Sequence, residues 1–171
     1  MTKNTVARLL TASALVAGGM MLLPGPAGAQ TGFHVVNMAT GKCATLAGGV
    51  STDNNVTLVQ YNCDNDSSRH WYLSNWSNNT FQLVNVKTGK CATVAGGVST
   101  DNNVTLVQYT CDNDSSRRWR LSNSNGSSYQ FVNVKTGKCA TVAGGVSADN
   151  NVTLVQYTCD NDLSRRWQLG G

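Results

Sequence analysis

The acidic side chains of the sequence are candidates for acid–base chemistry because they occur in close pairs. A pair of aspartates two residues apart recurs three times, as Asp64 with Asp66, Asp112 with Asp114, and Asp160 with Asp162. An enzyme needs an asymmetric set of groups, usually carboxylates with differently tuned pKa values, and it needs that set once. Because the same pair is repeated on three similar loops, we predict that the chain is not an enzyme.

A second recurring set of side chains is suited to reversible sugar binding. A pyranose has one face of C–H groups and a rim of hydroxyls, so it binds in a shallow concavity beside an aromatic ring and hydrogen-bonding side chains. The candidate rings are Tyr61, Tyr109 and Tyr157. Candidate polar partners follow the second cysteine of each copy and are Asn65, Asn113 and Asn161.

Structural roles are the alternative for several of these residues. Each tyrosine can instead be a half-buried strand residue that packs on a disulfide. An arginine lies six residues after a cysteine and close to each aspartate pair, which predicts an ion pair on the loop for Arg69, Arg117 and Arg165. Core positions are predicted for Trp71, Trp119 and Trp167, whereas Trp76, in a polar linker, is predicted to be exposed.

All these side chains recur because the chain contains three copies of one unit. Cys43, Cys91 and Cys139 are 48 residues apart, and the alignment continues without insertion or deletion. Each copy opens with an apolar stretch and then turns through Thr-Gly-Lys into its first cysteine. The copies span about residues 33–80, 81–128 and 129–171.

The pattern inside each copy predicts four short strands and an all-β fold. In the second copy the strands are predicted at about 82–86, 92–95, 104–109 and 119–121, with turn residues between them. One copy is too small to bury its own apolar face, so the three must share a core. A three-fold arrangement of four-stranded units predicts a β-trefoil; a β-prism is the alternative, and a propeller normally needs at least four blades.

The six cysteines are predicted to form three disulfides. If the bonds respect the repeat, three pairings remain: within each copy, or with the next copy in either direction. The local pairing needs no reach between copies, and each bond would contribute roughly 3 kcal/mol. Metal binding is not predicted, because no Cys-x-x-Cys occurs and the only histidines, His34 and His70, appear in one copy. No cofactor is predicted either.

The sequence resembles the ricin B-type (R-type) lectin family over residues 30–171, which contain the three copies. A copy in that family has a first Cys, a Gly/Ser/Asn-rich loop, an apolar strand with an aromatic residue two before a second Cys, and then Gln-x-Trp. The second copy matches with Cys91, Gly96-Gly97-Val98-Ser99, Tyr109, Cys111 and Trp119. The resemblance implies a β-trefoil, sugar binding without chemistry, a galactose-type ligand, and disulfides within copies: Cys43 with Cys63, Cys91 with Cys111, and Cys139 with Cys159.

The sequence departs from the family at the places of two characteristic residues. The family's sugar-binding Asp, two residues after the first Cys, is replaced by Thr45, Thr93 and Thr141, so the resemblance makes these threonines further candidate polar partners of the sugar. The Gln of Gln-x-Trp is replaced by Arg69, Arg117 and Arg165. All three copies changed together, which suggests either a consistent variant pocket or recent duplication of one altered unit.

The N-terminal residues predict a secretory signal peptide over residues 1–29. Lys3 and Arg8 supply a positive region, Leu9 to Leu23 an apolar run, and Ala27-Gly28-Ala29 a small-residue cleavage site. The apolar run is too short to span a bilayer. We therefore predict a secreted, extracellular protein with no membrane span.

The mature chain, residues 30–171, is predicted to be a single lectin domain. Its charge is +2, from 11 basic and 9 acidic residues, which gives no support for nucleic acid as a partner. We predict a lectin with three near-identical, low-affinity sites that act together on glycans or polysaccharide. The alternative is a protein-interaction subunit of a secreted toxin or enzyme assembly that keeps the fold without binding sugar.

Overall fold

The fold is all-β, as predicted, with four strands in each copy. The computed structural model describes residues 31–170, so the predicted signal peptide lies outside the described residues. The strands are β1 (Phe33–Asn37), β2 (Cys43–Leu46), β3 (Leu58–Tyr61), β4 (His70–Ser77), β5 (Thr80–Asn85), β6 (Cys91–Val94), β7 (Leu106–Tyr109), β8 (Trp119–Ser122), β9 (Gln130–Asn133), β10 (Cys139–Val142), β11 (Leu154–Tyr157) and β12 (Trp167–Gly170). One short 3-10 helix precedes the last strand of each copy: Ser67–Arg69, Ser115–Arg117 and Leu163–Arg165.

Six strands close into a barrel. Antiparallel pairs join β12 to β1, β1 to β4, β4 to β5, β5 to β8, and β8 to β9. The ring is completed between Tyr129 and Trp167, whose backbones exchange two hydrogen bonds of 2.8 Å. A closed barrel has no free sheet edge, which protects so small a β domain from edge-to-edge association.

The other six strands form three hairpins that cap one end of the barrel. The hairpins are β2–β3, β6–β7 and β10–β11, one from each copy. They meet one another through three bridges: Thr57 with Val107, Thr105 with Val155, and Val59 with Thr153. A six-stranded barrel capped by three hairpins in three-fold arrangement is a β-trefoil, so the predicted fold is confirmed. Within residues 31–170, no helix has the length and apolar character needed to cross a membrane.

Three buried tryptophans join the barrel to the cap. Trp71, Trp119 and Trp167 are fully buried, as predicted. Each indole Nε1 donates a hydrogen bond to an alanine carbonyl on the hairpin of the same copy, at 2.8 Å for Ala44 and 2.9 Å for Ala92 and Ala140. Each tryptophan therefore fills the core and also satisfies its one polar atom there.

Three buried glutamines connect each copy to the one before it. Gln108 donates from Nε2 to the carbonyls of Ser51 and Asp53, at 2.9 and 2.7 Å, while its Oε1 accepts from Thr88 Oγ1 at 2.8 Å. Gln156 makes the same bonds to the second copy. Gln60 makes them to the third copy, so the connections run in one direction around a closed ring.

The three disulfides lie within copies, as the resemblance implies. The bonds join Cys43 to Cys63, Cys91 to Cys111 and Cys139 to Cys159. In each copy the first cysteine stands opposite the tyrosine of the adjacent strand, as Cys43 stands opposite Tyr61. The disulfide therefore fixes the end of the hairpin at which the candidate tyrosine lies.

Candidate functional site

Three equivalent clefts open on the surface, one for each copy. Their volumes are about 360, 270 and 340 Å³ in chain order. The second cleft is typical: β6 supplies Thr93, the following loop Gly96 and Gly97, the end of β7 Tyr109, and the 3-10 helix its flanking Asp and Arg. The shared lining set is Thr45, Tyr61, Asp66 and Arg69; Thr93, Tyr109, Asp114 and Arg117; and Thr141, Tyr157, Asp162 and Arg165.

Each cleft is shaped by a close approach of the glycine loop to the 3-10 helix. Gly49 has a φ of 68°, a backbone conformation that side chains rarely adopt. A Cβ atom at this position would lie 3.1 Å from Ser68 Oγ. The Gly-Gly pair therefore lets the loop turn tightly and leave space for the cleft.

The carboxylate of each cleft is held by the start of the 3-10 helix. Asp66 Oδ1 accepts a hydrogen bond from the backbone N–H of Ser68 at 2.8 Å, and Asp114 and Asp162 accept the same bond at the same distance. This is an N-cap arrangement, which fixes the side chain and satisfies a helix-end donor. Side-chain exposures of 43%, 47% and 55% show that the carboxylates still face solvent.

Hydrogen bonds at this cap keep the three carboxylates ionised in acid. The backbone and then the side-chain hydrogen bond of Ser68 lower the pKa of Asp66 from 3.8 to about 2. The corresponding bonds from Ser116 lower the pKa of Asp114, and for Asp162 the Ser164 hydroxyl is the larger of the two causes of its lowered pKa. Each cleft therefore carries a charged acceptor for ligand hydroxyls at neutral pH.

The lowered pKa values predict a loss of stability in strong acid. A carboxylate with a depressed folded-state pKa stabilises the fold fully above its unfolded value, and this contribution is lost as the pH falls from about 4 toward 2. We expect the melting temperature of the oxidised protein to fall over that interval. The triple variant Asp66→Asn, Asp114→Asn, Asp162→Asn should show a shallower fall, because asparagine caps without titrating. Equal slopes for both proteins would contradict the assignment.

The predicted ion pairs of the arginines are confirmed. Arg69 Nε lies 3.2 Å from Asp64 Oδ1, and its Nη1 lies 3.6 Å from Asp66 Oδ1. Arg117 and Arg165 repeat both contacts at 3.3 to 3.7 Å. The guanidinium groups are largely buried, so these pairs are shielded from solvent more than free surface pairs. The arginines therefore orient the two aspartates of each loop.

The same guanidinium groups cover one face of each tyrosine, a contact that the residue pattern does not predict. The guanidinium carbon of Arg69 lies 4.6 Å from the centroid of the Tyr61 ring, and the distances in the other copies are 4.4 and 4.5 Å. This is cation–π geometry. The tyrosines are half-buried, and because a guanidinium covers one face of each ring, a stacking ligand has one ring face at most.

The threonines lie in the clefts but are buried at the base. Thr45, Thr93 and Thr141 are each only 2% exposed. Thr45 Oγ1 donates to the carbonyl of Ser68 at 3.0 Å, and the other two threonines donate equivalently at 2.9 and 3.0 Å. The hydroxyl proton is thus already engaged, so the threonine stabilises the 3-10 helix in each copy.

The candidate asparagines do not line the clefts. The exposed loop after the second cysteine of each copy carries Asn65, Asn113 and Asn161, and none of them is in a cleft lining. Each cleft is lined instead by an asparagine of the preceding copy in the ring. These are Asn151 in the first cleft, Asn55 in the second and Asn103 in the third. Sequence spacing within one copy could not reveal a residue contributed by another copy.

The two histidines of the first copy occupy positions that other polar residues fill in the second and third copies. His34 Nε2 lies 3.0 Å from the carbonyl of Asp64, and the side chains of Gln82 and Gln130 donate to the equivalent carbonyls of the other copies. His70 replaces Arg118 and Arg166, which bond to the preceding linker. Within residues 31–170, no three His, Cys, Asp or Glu side chains are grouped as metal ligands.

Solved structures with the same fold include both designed and natural proteins. The designed three-fold symmetric protein ThreeFoil shares 22% identity with a TM-score of 0.77, over 81% of this chain and 97% of that one. The Rhizoctonia solani agglutinin shares 17% identity with a TM-score of 0.70, over 85% and 99%. The exo-β-1,3-galactanase 1,3Gal43A from Clostridium thermocellum shares 25% identity with a TM-score of 0.77, over 82% of this chain but 30% of that one.

The sequence also matches one family model repeatedly. No curated protein sequence matches the chain significantly. The model described as "Ricin-type beta-trefoil lectin domain-like" matches residues 22–109, 67–157 and 115–171. The three overlapping matches follow the three copies and cover the barrel, the cap and all three clefts. Together with the trefoil fold and its disulfide in every copy, they show that the chain belongs to the ricin-type β-trefoil lectin-like family.

Proposed function

We propose that the protein is a secreted, non-catalytic lectin that binds saccharides in its three clefts. The observation that carries the proposal is that every cleft combines an ionised carboxylate, a guanidinium and an aromatic ring around a shallow space of 270 to 360 Å³. Sugar hydroxyls are both donors and acceptors, so a carboxylate and a guanidinium together can bind adjacent hydroxyls.

A different aspartate in each cleft can take the place of the one that the family pattern has after the first cysteine. Threonine replaces the family's aspartate after the first cysteine, yet Asp66, Asp114 and Asp162 supply a charged acceptor to the same clefts from the 3-10 helix. Their orientation is fixed before a ligand arrives, which lowers the entropic cost of binding. The clefts therefore retain the chemistry that sugar recognition needs.

Three similar clefts on one domain favour binding to repetitive glycans. One shallow sugar site binds on the order of millimolar, about 4 kcal/mol. Three sites on one rigid domain convert later contacts into intramolecular ones and so raise the apparent affinity on a polysaccharide or a glycan-coated surface. A galactose-type sugar is the ligand that the family resemblance favours.

A protein-interaction subunit is the second candidate, and one observation favours it. Val50, Val98 and Val146 are exposed by 70%, 72% and 88% at the rims of the three clefts. Exposed apolar side chains around a concavity also suit a protein partner. Solved structures with this fold include a mosquitocidal holotoxin and the cytolethal distending toxin from Actinobacillus actinomycetemcomitans.

A glycan array with the mature, oxidised protein tests the proposal. The variant is Asp66→Asn, Asp114→Asn, Asp162→Asn, which keeps the helix caps and removes the charged acceptors. We expect it to lose at least tenfold in affinity for the preferred glycan, because a hydrogen bond to a charged group contributes about 1.5–3 kcal/mol.

The matched control is Asp53→Asn, Asp101→Asn, Asp149→Asn, which removes the same charge from turns outside the cleft linings. The control should bind as the native protein does. Absence of glycan binding by the native protein, together with recovery of a stoichiometric protein partner from culture medium, would support the second candidate instead.

A further inference from the structure

The three clefts differ in charge at one neighbouring position, in the turn that follows the first strand of the next copy. The equivalent residues are Lys87 beside the first cleft, Lys135 beside the second, and Ala39 beside the third. All three side chains are exposed. The near-exact repeat is therefore broken at a position that changes the charge beside a binding cleft.

Hydrogen bonds hold this turn in the same place in every copy. Asn85 Nδ2 donates to the carbonyl of Ser68 at 2.7 Å, and its Oδ1 accepts from the backbone N–H of Lys87 at 3.1 Å. Asn133 and Asn37 make the same two bonds at the same distances, to Ser116 and Lys135 and to Ser164 and Ala39. Ala39 thus occupies, beside the third cleft, the place that Lys87 occupies beside the first.

The side chain at this position determines whether the cleft carboxylate has a lysine ammonium beside it in addition to its arginine. Lys87 lines the first cleft, and its Nζ lies 3.3 Å from Asp66 Oδ1 and 3.5 Å from Oδ2. Lys135 acts on Asp114 through its charge, without a contact within 4 Å among the described residues. Ala39 has no charge to offer Asp162.

Asp162, like Asp114 but unlike Asp66, has one carboxylate oxygen to which no donor among residues 31–170 bonds. Its Oδ1 accepts from the Ser164 backbone and hydroxyl, whereas no donor among residues 31–170 bonds to its Oδ2. Asp162 is also the most exposed of the three, at 55% against 43% for Asp66. A ligand hydroxyl can donate to this oxygen without displacing an ammonium group.

We propose that the third cleft is the principal site for neutral saccharides and that Lys87 makes the first cleft the weakest. This inference rests on the proposed function, because it ranks the sites at which sugar would bind. The expected difference in dissociation constant between the first and third clefts is about two- to fivefold, the range given by breaking one exposed ion pair. The second cleft, with a charge nearby but no contact, should lie between them.

Site-resolved NMR titration of the native protein tests the ranking. The probes are the neutral saccharides lactose, cellobiose and xylobiose, and the reporters are the backbone amides of Gly49, Gly97 and Gly145, one from each cleft. We expect the Gly145 amide to saturate at the lowest saccharide concentration. Lys87→Ala should strengthen saccharide binding at the first cleft, and Ala39→Lys should weaken binding at the third cleft at least to the level of the second.

The outcomes separate this inference from the proposed function. Equal affinities at all three clefts, or a tighter first cleft, would overturn the ranking and leave saccharide binding intact. No amide shift with any of the three saccharides would overturn both. A carboxyl-carbon NMR titration gives a readout that needs no sugar, because Ala39→Lys should lower the pKa of Asp162 by adding an ammonium beside it.

Discussion

Replacing Trp119 by alanine is expected to lower the free energy of unfolding by about 3–5 kcal/mol. The indole is fully buried where the barrel meets the hairpin cap, and its Nε1 donates to the carbonyl of Ala92. Truncation leaves a large cavity and removes that hydrogen bond. Because domains of this size are stable by about 5–15 kcal/mol, the variant should lose a large fraction of its total stability.

Chemical denaturation of the oxidised protein, followed by circular dichroism, measures this effect. Trp76→Ala is the matched control, since Trp76 is 59% exposed and its ring lies on the edge of the core beside Phe81. The control should lose less than about 1 kcal/mol. Trp71→Ala and Trp167→Ala should match Trp119→Ala, because all three indoles make the same bond. A loss below about 2 kcal/mol for all three would contradict the assigned role.

The second large effect is expected in multivalent binding. The double variant Asp66→Asn, Asp114→Asn retains only the third cleft in its native form. On an immobilised polysaccharide that carries the preferred sugar, its apparent affinity should fall by about 10²–10⁴, because three linked contacts become one. Its affinity for the soluble saccharide at the third cleft should stay within about twofold of the native value.

Surface plasmon resonance on the polysaccharide and calorimetry with the soluble sugar give the two measurements. Asp53→Asn, Asp101→Asn provides the control with the same change of charge, and it should keep both affinities. If the apparent affinity for the polysaccharide fell only threefold, the fall would match the reduction from three native clefts to one. That result would show that the clefts act independently and would contradict binding by avidity.

Most of the fold could be predicted from the sequence because the repeat amplifies weak local signals. Strand patterns of four residues are ambiguous alone, but the same pattern three times fixes the number of strands and the need for a shared core. Trp119 occupies the core position predicted for it, and the boundaries of β6 and β8 differ from the prediction by one residue. The 3-10 helices were missed, since three-residue helices leave no periodic signal.

The clefts could be predicted only in part because they are assembled from more than one copy. Tyr109 and Thr93 line a cleft as expected, but Asn55 reaches it from the preceding copy. The sequence predicts Asp114 as an ion-pair partner of Arg117, and the structure confirms this. Asp114 is also the carboxylate of the cleft, and this second role depends on its hydrogen bond from the Ser116 backbone. An aspartate two residues before a serine at a turn is the signal that indicates such a cap.

The one-way ring of buried glutamines has a consequence for how such a protein can arise. Gln60, Gln108 and Gln156 make identical bonds to the loop of the preceding copy, and the first copy is joined to the third in the same manner as the second to the first. Each unit thus carries both halves of every junction, along with its own disulfide. The peptide links between units take no part in these glutamine hydrogen bonds. A gene for a single unit therefore encodes both sides of each glutamine junction. Three separate copies of such a unit could form a symmetric trimer, and fusion of the genes could then give the present chain.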